Sequence, residues 1–225
     1  MATLERTEWC EFWWEKANQR DKKRVLLVGD SIAKGYHGFV KELLGAHVYV
    51  DKLATSKALD NPALYRELDY IVRHGDESFD FSYEVVHFNN GLHGWHLGEA
   101  EYERGCDDVV QHLRRHTQAA IVLAHTTPVT KAAAEEYALD SAVNDRVIAR
   151  NRVVDRVAAR YGLAVNDLYA PMIGRRDYEA GDGYHYNESG RSAQAELVAR
   201  SIAAALGIAY YRTDASGSGP RHVGG

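Results

Sequence analysis

Cysteine is scarce: Cys10 and Cys106 are the only two in 225 residues. They are too few for a disulfide framework, and neither sits beside a metal-type spacing. Long apolar runs are missing as well, so no segment reads as a membrane span. The first 24 residues are rich in Glu, Arg and Lys and do not read as a secretory signal, which needs an apolar stretch before a small-residue cleavage site. No Lys/Arg block stands out, and a formal net charge of -5 leaves no basic excess to track phosphates. Neither nucleic acid nor a membrane is expected as a partner, and the expectation is a soluble cytoplasmic protein acting on a small or neutral ligand. Nucleotide signatures are also absent. Residues 29–35, Gly-Asp-Ser-Ile-Ala-Lys-Gly, place the Lys before the second Gly with no Ser or Thr after it, and no G-x-G-x-x-G occurs. No internal repeat is visible.

What is present is enough apolar residue for one core: 45% hydrophobic content fits a single domain better than two. Residues 25–28 form a continuous apolar run, as in a strand covered on both faces. Downstream, strand and helix patterns alternate: helix 36–44, strand 47–50, helix 61–74, strand 84–90, helix 99–116, strand 119–124, helix 141–161, strand 164–166 and helix 188–206. Pro62 near a helix start, Gly162 past a helix end and Asn187 before the last helix supply the boundary chemistry. This alternation predicts right-handed crossovers and a three-layer α/β/α sandwich around a five-stranded parallel sheet. Trp9, Phe12, Trp13 and Lys16 recur at helical spacing, so residues 1–23 are expected to lay an amphipathic helix over the 24–210 domain. The small, polar residues 211–225 read as a flexible tail.

Two stretches carry chemistry. Gly29-Asp30-Ser31 ends the first strand at a tight turn and puts a hydroxyl where open α/β sheets keep their sites. Asp182-Gly183-Tyr184-His185 places a carboxylate and an imidazole three residues apart on a loop. A serine hydroxyl is a weak nucleophile at neutral pH: it needs an imidazole to take its proton, and the imidazole needs a partner to fix its tautomer. Read separately, the first stretch is an ordinary strand-to-helix turn and the second a polar loop; their conjunction supplies nucleophile, base and orienting acid. Asp30 can bond nearby loop amides and hold the turn.

With the block running from Asp182 through Tyr186, Asn187, Glu188 and Ser189 to Gly190, the Gly29-Asp30-Ser31 turn resembles the SGNH/GDSL hydrolase superfamily. Phe88-Asn89-Asn90-Gly91-Leu92-His93, Thr126-Thr127-Pro128-Val129 and Asn166-Asp167-Leu168-Tyr169 match the family style, and the likeness covers about residues 24–207. It implies a flavodoxin-like fold and, with no cofactor or metal, ester hydrolysis through an acyl-serine with Ser31 as nucleophile, His185 as base and Asp182 as orienting acid. The family holds its oxyanion with the serine N–H, a glycine N–H after the second strand and an asparagine side chain after the third. Here residues 51–57 contain no glycine, so a backbone N–H around Ala54, Thr55 and Ser56 is the candidate. Gly91-Leu92-His93-Gly94 puts His93 where the asparagine is expected, with Asn89 and Asn90 as other donors.

Asp30, Trp95 and Tyr184 are candidates for contact with substrate; Trp95 reads equally as a ring platform for a sugar or as a packing residue, and the tyrosines Tyr169, Tyr178, Tyr184 and Tyr186 are expected near the cleft. The expected function is removal of a small acyl group, acetyl first among them, from an oligosaccharide or similar polar ester. Two other classes remain open: a glycoside-processing enzyme using a carboxylate pair that includes Asp30 or Asp182, and a carbohydrate-binding module without catalysis. His93 and His96 read as loop histidines, since no third metal ligand stands at a suitable spacing.

Overall fold

Val25, Leu26, Leu27 and Val28 alternate faces as a strand must, and the two faces join different apolar clusters. In the computed structural model, which describes residues 3–73 and 82–210, this segment is β2 (Lys23–Gly29). Before it comes β1 (Cys10–Trp13). After it come α1 (Ser31–Leu44), β3 (Val48–Thr55), α2 (Pro62–Val72), β4 (Tyr83–Phe88), α3 (Glu99–His116), β5 (Ala120–Ala124), α4 (Ser141–Tyr161), β6 (Ala164–Asn166) and α5 (Glu188–Leu206). Among the described residues, six strands form one sheet in the order β1-β3-β2-β4-β5-β6. Leu26 and Val28 pack with Leu64, Leu68, Val109 and Val157 from α2, α3 and α4; Val25 and Leu27 pack with Val40 and Val198 from α1 and α5. This is the expected three-layer sandwich, and its parallel strands follow the flavodoxin-like order that reverses direction between β2 and β4.

The amphipathic helix expected near the amino terminus is corrected. Residues 10–13 form an edge strand, antiparallel to β3 with Cys10 opposite Thr55 and Trp13 opposite Lys52, so the sheet is six-stranded and mixed. Over so short a run, apolar residues at helical spacing also satisfy a period of two, and an open β3 edge decides between them. Phe12 turns to the α2 side, stacking on Trp14 and meeting Tyr70 edge-on, while Trp13 meets His37 of α1. The chain then folds back to a buried ion pair: Arg24 reaches Asp51 at 2.9 Å, and the Glu15 N–H and Tyr83 hydroxyl donate to the same carboxylate. The second strand runs farther than the sequence predicts, to Thr55, because β1 pairs with its far end. Residue 74, expected to end the second helix, and the expected tail at 211–225 lie outside the described residues.

Two buried histidines give the fold a pH dependence. Burial pulls His37 and His87 down from 6.5 to about 4, with His37 donating from Nε2 to the Val50 carbonyl in partial opposition. Between these values the unfolded chain binds a proton that the folded chain refuses, so each lowers stability as pH falls from 6.5 towards 4. Burial pushes Asp51 up to about 6 despite Arg24, and this carboxyl acts with the opposite sign between 3.8 and 6. A difference isolates one group: His37→Gln, which keeps a donor for Val50, is expected to reduce the slope of unfolding free energy against pH between 5 and 6 by about 1.4 kcal/mol per unit. Urea midpoints at four pH values measure it; parallel curves for the two proteins would contradict it.

Candidate active site

Ser31 is the first residue of α1, and Asp30 caps that helix by accepting from the Ile32 N–H at 2.9 Å. The turn is tight enough to require glycine before it: a Cβ on Gly29 would stand 2.5 Å from the Ala33 Cβ. The hydroxyl thus lies at the carboxyl end of β2, at the positive end of a 14-residue helix and beside the point where strand order reverses.

His185 arrives from the other end of the chain on a loop pinned at several points. Thr130 N–H donates to Gly183 O, Ala133 N–H to Gly181 O and Ala180 N–H to His185 O, each within 3.0 Å. Gly183 has φ +88, and a Cβ there would meet the Thr130 carbonyl at 2.4 Å, so the loop closes only with glycine. The Asp182 Oδ1 accepts from the Tyr184 and His185 N–H groups, turning the loop on itself. Its Oδ2 lies 2.5 Å from His185 Nδ1, and His185 Nε2 lies 2.8 Å from Ser31 Oγ. Partial burial works to raise the Asp182 carboxyl, but the two N–H groups and the imidazole outweigh it and hold the group at about 2. At neutral pH Asp182 is therefore an anion facing Nδ1. A proton on Nδ1 leaves the Nε2 lone pair for the Ser31 hydroxyl, the arrangement a hydroxyl nucleophile needs.

The other expected residues divide. Asn89 donates its amide to Ala124 O at 2.8 Å and Thr126 Oγ1 at 3.3 Å, and Asn90 donates to Lys57 O at 2.8 Å, so both tie loops together. Thr55 and Ser56 are buried with their hydroxyls on Glu67 and Glu8, and the Ser56 N–H donates to Trp9 O at 3.1 Å. The expectation of an oxyanion donor at Ser56 is corrected accordingly: β1 prolongs the β3 edge and takes that N–H. Asp30 is not on a substrate-facing wall. Only 1% exposed, it lies under the turn. Burial pushes its carboxyl up, while His93 and His185 stand close enough to favour its charge. Trp95 is packed between guanidinium groups, with Arg150 4.5 Å and Arg146 5.0 Å from its ring centre. Tyr184 is exposed and lines a small cavity with Thr130, Tyr137, Gly183, His185 and Tyr186. A second small cavity lies next to the turn, lined by Ile32, Ala33, Asn89, Leu92, Thr126 and Thr127 among others.

His93 is half-buried with its Nδ1 3.6 Å from a Glu5 carboxylate oxygen, beyond hydrogen-bond length. The residue that sets the His93 loop is one the sequence did not single out. Arg150 of α4 is 4% exposed and donates to the carbonyls of Gly91, His93 and Gly94 at 2.9, 2.6 and 2.6 Å. An arginine on the inner face of a helix, in register with Val147, Val154 and Val157, is the signal that was available. His96 pairs with Asp60 at 2.9 Å. Among the described residues, one group has metal-ligand proximity: Asp69, His112 and His116, with ligand atoms within 4.8 Å of one another. Its histidines lie on the last turns of α3, just before β5 begins, and contribute nothing to the Ser31 turn.

No protein-family model matches the chain. An acetylxylan esterase of Xylanibacter ruminicola is 39% identical over 62 residues, a stretch that is 27% of this chain and 13% of that protein. Among solved structures, a lipase/acylhydrolase of Enterococcus faecalis has TM-score 0.63 at 16% identity, covering 85% of this chain and all of its own. An acetylxylan esterase of Geobacillus stearothermophilus has TM-score 0.60 at 16% identity, covering 85% of this chain and 97% of its own. The fold is thus that of the SGNH/GDSL hydrolases, as the motifs implied.

Proposed function

We propose that the protein is a serine esterase that removes a small acyl group, acetyl first, from an oligosaccharide or similar polar ester. The observation that carries the reading is the continuous chain from Asp182 Oδ2 through His185 to Ser31 Oγ, with contacts of 2.5 and 2.8 Å. Ser31 Oγ attacks the ester carbonyl as its proton passes to His185 Nε2. The tetrahedral adduct collapses, and the alcohol oxygen leaves with that proton, giving acyl-serine. Water then attacks the acyl carbon, again giving its proton to His185, and Ser31 leaves with it as the carboxylic acid is released.

The acetyl preference is supported by the small cavities flanking Ser31 and His185 and by the acetylxylan esterases that share the fold. The carboxylate-pair alternative has less behind it, because Asp30 is buried as a helix cap and Asp182 is taken up by His185. The test is acid release from acetylated xylo-oligosaccharides and from a series of lengthening aryl esters. Turnover that is highest for acetyl and falls with chain length is the expected result; no turnover of any ester would reject the reading.

The charge that develops on the carbonyl oxygen needs donors. The Ser31 N–H at the start of α1 is one, and His93 is the side-chain donor, since the amides of Asn89 and Asn90 are already directed at carbonyls. Removing a side-chain donor of this kind costs about 2.7–4 kcal/mol of transition-state stabilisation. His93→Ala is therefore expected to lower kcat by about 100- to 1000-fold with little change in KM. Steady-state kinetics decides the point, and an unchanged kcat would remove His93 from the site.

A further inference from the structure

We infer that Glu5 is a positioning residue of the active site, holding the turn that carries His93 to the Ser31 side of the cleft. The inference rests on the proposed reading of Ser31 and His93. Residues 5–13 do more than complete the sheet, for they touch three segments around the Ser31 turn: α1, the residues after β3 and the turn at 91–94. Lys34 of α1, one turn beyond Ser31, pairs with Glu11 at 2.6 Å and lies 5.9 Å from the Trp9 ring centre. The residues after β3 are held by Ser56 N–H to Trp9 O, Trp9 N–H to Ser56 Oγ and Glu8 to Lys57 at 2.8 Å. Glu5, whose own N–H donates to Glu8 at 2.9 Å, accepts the Gly94 N–H at 2.9 Å and faces His93 Nδ1 at 3.6 Å.

The residue 91–94 turn thus has two anchors of opposite kind. Arg150 satisfies its carbonyls from the α4 side, and Glu5 takes its amide from the amino-terminal side. Within its own segment the turn is held by Gly91 N–H to Asn89 Oδ1 at 3.2 Å and Leu97 N–H to Gly94 O at 3.0 Å. The Glu5 contact is the one that ties it to the amino-terminal segment, and it does so at the residue next to His93. It also gives the Ser31 turn a second carboxylate-imidazole pair: Asp182 with His185 on one side, Glu5 with His93 on the other. A displacement of about 1 Å in a catalytic group can cost on the order of 100-fold in rate.

The experiment compares Glu5→Ala and Glu5→Gln, in the otherwise unchanged chain and combined with His93→Ala, by steady-state kinetics on an acetyl ester. Glu5→Ala is expected to lower kcat about 10- to 100-fold with KM within about twofold. Glu5→Gln keeps an oxygen that can accept from Gly94 N–H and should restore kcat to within about threefold. In the His93→Ala background, Glu5→Ala should change kcat by less than about twofold, because a residue acting through His93 has nothing left to act on. An unchanged kcat in Glu5→Ala, a Gln variant as impaired as the Ala variant, or a full multiplicative loss without His93 would each overturn the inference. Urea midpoints of both variants keep a folding defect from being read as a catalytic one. Full activity in Ser31→Ala would instead remove the esterase reading on which it rests, so the two failures are separable.

Discussion

Ser31→Ala is expected to abolish acid release from acetyl esters, lowering kcat on the order of a millionfold, or about 8 kcal/mol, the cost of losing a nucleophile whose base and orienting acid then have nothing to act on. Stability should hardly change, because the Ser31 side chain bonds only His185 among the described residues and the helix cap comes from Asp30. A matched urea midpoint with lost turnover is the signature. The same logic ranks a second change: Asp182→Asn keeps an oxygen for the two loop N–H groups but takes away the anion opposite His185 Nδ1. That substitution favours the wrong tautomer and should cost roughly 10,000-fold in kcat. A Ser31→Ala enzyme with undiminished turnover would place the chemistry on another group.

Arg150→Met is expected to be the most damaging change among those that touch neither nucleophile nor base. The side chain it removes is buried and donates to three backbone carbonyls while resting against the faces of Trp95 and Tyr102, both 4.5 Å away. Methionine fills the apolar part of this volume but offers no donor. The Gly94 carbonyl keeps the Leu97 N–H at 3.0 Å, but those of Gly91 and His93 lose their partner at about 1–3 kcal/mol each, so a loss on the order of 2 kcal/mol or more is expected from the turn alone. Arg150→Lys should also fail, since one ammonium cannot reproduce the planar fork that spans all three acceptors. Urea unfolding gives the stability, and kcat measured where the variant is still folded gives the consequence for His93. A midpoint within the error of the unchanged chain, with normal kcat, would show that the turn holds without its guanidinium.

The parallel strands, their helices and the Ser31-His185-Asp182 constellation were legible because each depends on local chemistry. The apolar run at Val25, the left-handed Gly162 cap, the Asn187 cap and the hydroxyl after Gly29 all read directly. What was not legible depends on which elements become neighbours. Residues 10–13 satisfy helical and strand periods alike, and only the open edge of β3 selects the strand. That pairing in turn removes Ser56 as a donor, a consequence invisible from the missing glycine alone. Asn89 and Asn90 read as donors to an oxyanion because they are amides beside the right strand; the carbonyls of Ala124 and Lys57, distant in sequence, occupy them. Arg150 looked like one charge among many in a long helix, and its position on the buried face was the only hint of its partners.

Turnover by the proposed route requires that Ser31 become acylated. A serine-reactive phosphonate carrying a small alkyl group tests it directly: incubate the protein, measure the mass gained, and locate the adduct by peptide mapping. One equivalent of label on Ser31, absent from His185→Ala and competed by an acetylated xylo-oligosaccharide, is the predicted result. Label on a different residue, or none from a preparation that still releases acid from its ester substrate, would contradict it.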